Sequence, residues 1–164
     1  MIRKRSFPPS VNAATRLLVL GSLPGERSLA ARQYYAHPQN QFWALMAGVI
    51  GRDLAPLGYE ARLAALLAAG VGLWDVIASA HRAGSSDAAI RDSEPNDLAG
   101  LVAALPALRA IAFNGQTALR HGQRQLAAFA GQVAFVPLPS SSPLHTVGRA
   151  AKQPAWDTLR AFLA

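Results

Sequence analysis

The stretch from Gln33 to Trp43 (QYYAHPQNQFW) gathers two tyrosines, a histidine, an asparagine and a Phe-Trp pair into eleven residues, shortly after a glycine-rich turn. Phe42 and Trp43 open an apolar segment that belongs in a core, and Asn40 stands where a helix beginning with them would be capped. Capping leaves Tyr34, Tyr35 and His37 without a task. A flat aromatic held at a pocket mouth can stack on a planar heterocycle, and an asparagine amide carries both an acceptor and donors with which to orient a water. Four further clusters are rich in glycine, proline and small polar residues: GSLPGERS (Gly21 to Ser28), WD (Trp74, Asp75), FNG (Phe113 to Gly115) and PLPSSSPLH (Pro137 to His145). Ser140, Ser141 and Ser142, clipped between Pro139 and Pro143, offer hydroxyls and free backbone N–H groups, donors suited to a phosphate. The same serines with His145 raise the alternative of a serine hydrolase. Nucleophile and base so close on one loop rarely meet productively, and the sequence has no GxSxG elbow. Asn114, ahead of Gly115, reads as a turn residue.

These clusters need a scaffold that brings them together, and the hydrophobic pattern supplies one. Thr15 to Leu20 (TRLLVL), Val71 to Val76 (VGLWDV), Leu108 to Phe113 and Val133 to Leu138 are short apolar runs that read as strands. Helical patterns cover 41–50, 60–69 with Gly70 as its stop, Asp97 to Leu105 capped by Asn96, Gln116 to Phe129, and a last amphipathic segment carrying Trp156, Leu159, Phe162 and Leu163. Strands alternating with helices predict a three-layer α/β/α fold with right-handed crossovers around a central four-stranded, mostly parallel sheet. In such a fold a ligand lies beyond the carboxyl ends of the strands, and that is where the clusters fall. With no repeat or linker, residues 1–164 read as one domain, with 1–14 a short basic arm.

Composition narrows the chemistry. With 164 residues, 51% hydrophobic and 15% charged, the chain is expected to be globular. A net charge of +7 comes from 16 basic against 9 acidic residues, and only Lys4 and Lys152 are lysines. Arginine's planar fork fits phosphate oxygens, so a polyanionic partner is the first expectation. Arg27, Arg32, Arg149 and Lys152 flank the polar loops and would attract a nucleic-acid backbone, whereas Arg62, Arg120 and Arg124 fall on helix patterns and read as solvated faces. The absence of cysteine rules out disulfides, thiolate metal sites, iron–sulfur clusters and cysteine nucleophiles, and fits a cytoplasmic setting. The longest apolar stretch, Leu63 to Trp74, falls short of the roughly 18 residues a membrane span needs. The basic N-terminus lacks the apolar segment of a secretory signal.

GSLPG after the first strand, YYAHPQNQFW soon after it, GVGLWDV on the second strand and LPSSSP after the fourth resemble the uracil-DNA glycosylase superfamily, in particular its hypoxanthine-DNA glycosylase branch. The similarity runs from about residue 15 to 160. It implies a monofunctional enzyme of base excision repair that flips a deaminated base, hypoxanthine first, out of double-stranded or single-stranded DNA and hydrolyses its N-glycosidic bond. Flipping costs roughly a few kcal/mol. No cofactor, metal or membrane is implied, and such enzymes usually act as monomers.

Residue by residue, the resemblance turns on Leu23. Most relatives carry there an Asp or Asn that positions the attacking water; leucine can neither donate nor accept, so that role is vacant. The branch is thought to fill it with the asparagine of HPxN, here Asn40. Gly21, Ser22, Leu23 and Pro24 would border the base pocket, Tyr35 matches the aromatic that stacks on the flipped base, and Asp75 matches the asparagine with which uracil-specific relatives read the base edge. A carboxylate accepts from an N1–H but cannot donate to a carbonyl, which favours hypoxanthine over uracil. Ser140, Ser141 and Ser142 would hold phosphate, Leu144 would be a wedge, and His145 a contact to phosphate or leaving base. Gly25 departs from the serine more usual there, and the loop after SSSP differs. The alternatives are a uracil or mismatch glycosylase of the same superfamily, and a non-catalytic DNA binder on this fold.

Overall fold

A computed structural model describes residues 2–164. In chain order the elements are β1 (Arg3–Arg5), β2 (Leu17–Gly21), α1 (Glu26–Ala31), α2 (Phe42–Ile50), α3 (Tyr59–Ala68), β3 (Val71–Asp75), β4 (Ile77–His81), β5 (Arg91–Pro95), α4 (Leu98–Ala103), β6 (Ala110–Asn114), α5 (Gln116–Gln125), β7 (Ala134–Leu138) and α6 (Arg149–Asp157). The four expected strands form one sheet in the order β3-β2-β6-β7, every neighbouring pair parallel. β2 is buried along its whole length, as an interior strand covered on both faces must be. Its alternate side chains feed two cores. Leu17 and Val19 pack with Phe42, Met46, Leu66 and Trp156 from α2, α3 and α6, while Leu18 and Leu20 pack with Leu98, Val102 and Ala118 from α4 and α5.

Several local expectations change. The helix expected from Asp97 to Leu105 is capped by Asp97 itself, whose Oδ1 accepts from Gly100 N at 3.0 Å. Asn96 instead gives its Nδ2 to Ser6 Oγ and to the backbone oxygen of Asp75. The helix expected over 116–129 ends at Gln125 and relaxes into a 3-10 turn over Ala127–Phe129. Residues 3–5 of the expected basic arm are an edge strand, with Arg3 Nη2 3.2 Å from Glu94 and Lys4 Nζ 3.3 Å from Glu26. That strand belongs to a second sheet, β1-β4-β5, antiparallel throughout. Its strands lack apolar alternation, since β5 (RDSEP) is exposed along its length, so the periodicity gave no sign of it. Immediately after Asp75 the chain leaves the parallel sheet, with Val76 N donating to Gly21 O and Ile77 N to Ser22 O.

Candidate active site

A cleft of about 440 Å³ opens where the carboxyl ends of β2, β3 and β6 meet the serine loop after β7, and residues from all five sequence clusters line it. Gly21, Ser22, Leu23, Pro24, Tyr35, Asn40, Asp75, Ser140, Ser141, Ser142, Leu144 and His145 all border this space. Arg149 does not. It sits at the start of α6 in an adjoining groove that shares Tyr35, His37 and Asn40 with the cleft, and its Nη1 bonds Gln153 Oε1.

The floor is built from two strand ends. Gly21 has no side chain because there is no room for one: a Cβ would lie 2.6 Å from Asp75 Oδ1 and 3.1 Å from the Tyr35 hydroxyl. Asp75 is buried and its Oδ2 has no hydrogen-bond partner among the described residues. Burial pushes its carboxyl up to about 7, the neighbouring Asp87 adds to the rise, and Arg82 opposes it. Leu23 turns into the core beside β2, only 6% exposed, and brings no polar atom to the cleft.

Tyr35 is held in the left-handed backbone region (φ 54°), sparsely populated for a residue with a side chain. Its ring stacks on Phe42, centroids 3.9 Å apart and planes 13° off parallel, and its hydroxyl accepts from Asn114 Nδ2 at 3.3 Å. Burial raises its hydroxyl pKa well above the usual phenol range. Asn40 Oδ1 accepts from Phe42 N at 2.9 Å, while its backbone N–H donates to His37 O. The side chain therefore supports the entry to α2 and also borders the cleft. An amide oxygen has two lone pairs, so one bond to the helix leaves the second, and the NH2 group, for a water.

Asn114 is a buried clamp rather than a simple turn residue. Its Nδ2 donates to Ser141 Oγ at 2.9 Å and its Oδ1 accepts from Ser141 N at 2.8 Å, tying the end of β6 to the serine loop. Gly115, at φ 97°, lets the chain turn there, where a Cβ would stand 3.2 Å from that of Ser140. Gln41 N donates to Ser141 O, fastening the Asn40 segment to the same loop. Lys152, expected at a basic rim, is buried beneath the loop with Nζ donating to His145 O at 3.1 Å. Arg62 likewise is no solvated face: its guanidinium lies 5.5 Å over Trp43 and bonds Leu54 O and Ala55 O.

The wall that sequence reasoning missed is the β4–β5 connection, which brings Ser85, Ser86, Asp87 and Ala88 into the cleft. Arg82 is its anchor, 1% exposed, donating to the carbonyls of Leu23, Pro24 and Gly84 and pairing with Asp87 at 3.9 Å. Ser22 Oγ donates to Asp87 Oδ1 at 2.7 Å, and Ser85 Oγ accepts from Glu26 N. The signal in the sequence was slight: an arginine two residues before a Gly-Ser-Ser-Asp turn.

The family model of the uracil DNA glycosylase superfamily matches residues 8–160. The chain belongs to this superfamily. Among its relatives is a protein from Methanosarcina barkeri (strain Fusaro) named hypoxanthine DNA glycosylase, 43% identical over 115 residues that make up 70% of this chain and 73% of the relative. A protein of the same name from Methanosarcina acetivorans is 44% identical over the same shares. A solution NMR structure from Methanosarcina acetivorans, provisionally assigned as a uracil DNA glycosylase, superposes with a TM-score of 0.85 at 36% identity, covering 98% of this chain and 99% of that one. The α/β fold with a four-stranded parallel sheet is thus the superfamily's. Among the described residues no helix is long and apolar enough to cross a membrane, and no cluster of His, Cys, Asp and Glu could hold a metal ion.

Proposed function

We propose that this protein is a monofunctional DNA glycosylase that expels hypoxanthine from DNA, hydrolysing the bond between the base and C1′ and leaving an abasic site. The observation that carries the reading is the pairing of an apolar Leu23 with Asn40: the first motif contributes no polar side chain through Leu23, and an amide already oriented by Phe42 N borders the cleft instead. The names of the two Methanosarcina relatives support the choice of hypoxanthine.

In this mechanism the expelled base stacks against Tyr35 with its edge toward Asp75. The C1′–N9 bond breaks first, its electron pair leaving with the base and the sugar becoming oxocarbenium-like. Asn40 holds a water against C1′; the new C–O bond forms from the water's lone pair, and its spare proton passes to solvent. A neutral amide suffices because proton removal trails bond breaking, so orientation is the main demand. The serine loop grips phosphate, Leu144 fills the gap left in the stack, and His145 contacts the phosphate or the departing base. No lysine lines the cleft, so no Schiff base forms and the strand stays whole until alkali treatment.

The test uses duplexes and single strands containing inosine, uracil, xanthine or a T·G mismatch, followed by alkali. Release from inosine that disappears in Asn40→Ala is the expected result. Full activity in that variant overturns the assignment of Asn40, and a preference for uracil shifts the reading to a uracil or mismatch glycosylase.

A further inference from the structure

Asp75 closes the floor of the cleft in a setting poor in donors. The residue is 4% exposed, and its Oδ2 meets none among the described residues. Arg82 is the nearby cation, yet three of its N–H groups go to the carbonyls of Leu23, Pro24 and Gly84, and its ion pair is with Asp87. Asn96 gives its Nδ2 to the backbone oxygen of Asp75, not to the carboxyl. The Tyr35 hydroxyl, which also borders the space over Gly21, accepts a hydrogen bond from Asn114. An ionised carboxylate here would be a buried charge with one of its oxygens, Oδ2, left without a donor.

Resting on the reading of this cleft as the pocket for an expelled hypoxanthine, we propose that Asp75 meets the base as a neutral carboxylic acid, the O–H on its cleft-facing oxygen donating to O6.

The base's lactam edge presents an acceptor beside a donor. A carboxylate would repel the oxygen, whereas the neutral acid offers it a donor. As the C1′–N9 bond breaks, negative charge spreads over the base onto O6, where a donor stabilises it and a fixed negative charge would oppose it. This reverses the expectation that an aspartate at this position only accepts.

The surroundings favour the neutral form. Burial is the largest influence on the Asp75 carboxyl, and Asp87 from the β4–β5 connection pushes the same way; Arg82, at the end of β4, is the one opposing charge. Tyr34 and Tyr35, from the segment after α1, have hydroxyls that burial keeps protonated well beyond neutrality. His37 and His145 border the same cleft, and histidine is the other side-chain type whose charge changes between about pH 5 and 8. Both are therefore controls.

The experiment is single-turnover release of hypoxanthine from an inosine-containing duplex between about pH 5.5 and 8.5, for the wild type and for Asp75→Asn, His37→Gln and His145→Gln. The wild-type rate is expected to be level in acid and to fall about tenfold per pH unit above a midpoint near 7. Asp75→Asn, whose amide always carries one donor and one acceptor, is expected to stay within about tenfold of the wild type at the acid end and to lose the alkaline fall. The fall persists in both histidine variants. Three results overturn the proposal while leaving the functional reading intact: a wild-type rate that drops toward acid, an alkaline fall that survives in Asp75→Asn, or a folded Asp75→Asn that has lost more than about a hundredfold at every pH. No release of hypoxanthine by the wild type at any pH overturns the functional reading, and the proposal with it.

Discussion

Asn114 and Ser141 hold each other by two hydrogen bonds, Nδ2 to Oγ at 2.9 Å and backbone N to Oδ1 at 2.8 Å, although 27 residues separate them. Both are buried, so neither bond has water to replace it. The pair joins the end of a central strand to the loop that forms one wall of the cleft, and the remaining reach of Asn114 Nδ2 goes to the Tyr35 hydroxyl. One amide thereby ties the loop to the Tyr35 ring.

Asn114→Ala removes all three contacts and leaves the Ser141 N–H buried without an acceptor. Unsatisfied buried groups cost about 1–3 kcal/mol each, so denaturant unfolding should show a loss of roughly 2–4 kcal/mol. Ser141→Ala keeps the backbone bond and should lose about half as much. Equal losses in the two variants, measured by denaturant melts, would contradict the clamp.

Arg82→Lys tests the missed wall. The guanidinium reaches the carbonyls of Leu23, Pro24 and Gly84 with separate N–H groups, a geometry that a lysine ammonium cannot reproduce. The substitution should cost about 2–4 kcal/mol, because buried carbonyls lose charge-assisted donors. It should also lower glycosylase activity by loosening the turn that carries Ser22 and Leu23. A variant with unchanged stability and activity would show that the β4–β5 connection is not pinned by this residue.

The sequence made the four-stranded sheet legible because each strand is an unbroken apolar run ended by glycine or a polar turn, as Leu17–Gly21 illustrates. It made the cleft legible because the clusters sit at strand ends, where a parallel sheet brings them together. It did not reveal β1-β4-β5, since RKR and RDSEP carry no alternation, nor the buried state of Arg82 and Lys152. A basic side chain is normally read as exposed, and only three dimensions show which carbonyls it meets. The clamp made by Asn114 is hidden for a related reason: Asn-Gly is so strong a turn signal that it masks what the side chain does.

Binding should fall steeply with salt, since the net charge is +7 and the partner is a polyanion. Arg149 is exposed beside the groove that shares Asn40 and Tyr35 with the cleft, so Arg149→Ala should lower the slope of log K against log salt by about one. Lys152→Met should change loop stability instead and leave the slope alone, because its ammonium is buried against His145 O. Fluorescence anisotropy with an abasic duplex over a salt series separates the two effects; equal slope changes would refute this division of roles.

The raised Asp75 carboxyl also has a thermodynamic consequence whose sign is fixed. Its ordinary value of 3.8 describes the unfolded chain, and about 7 describes the folded one. Between those values the folded protein keeps a proton that the unfolded chain has released, so stability falls as pH rises. The contribution is complete below about pH 4, is lost progressively toward pH 7, and stays lost above it. Asp75→Asn carries no ionisable group and escapes this loss. Its stability relative to the wild type should therefore grow from pH 4 to pH 7 by up to about 4 kcal/mol, then level off. Urea melts of both proteins across that range measure the difference directly. A gap that stays constant with pH would mean that the Asp75 carboxyl ionises as freely in the folded protein as in the unfolded chain, and that the cleft floor carries its charge at neutral pH after all.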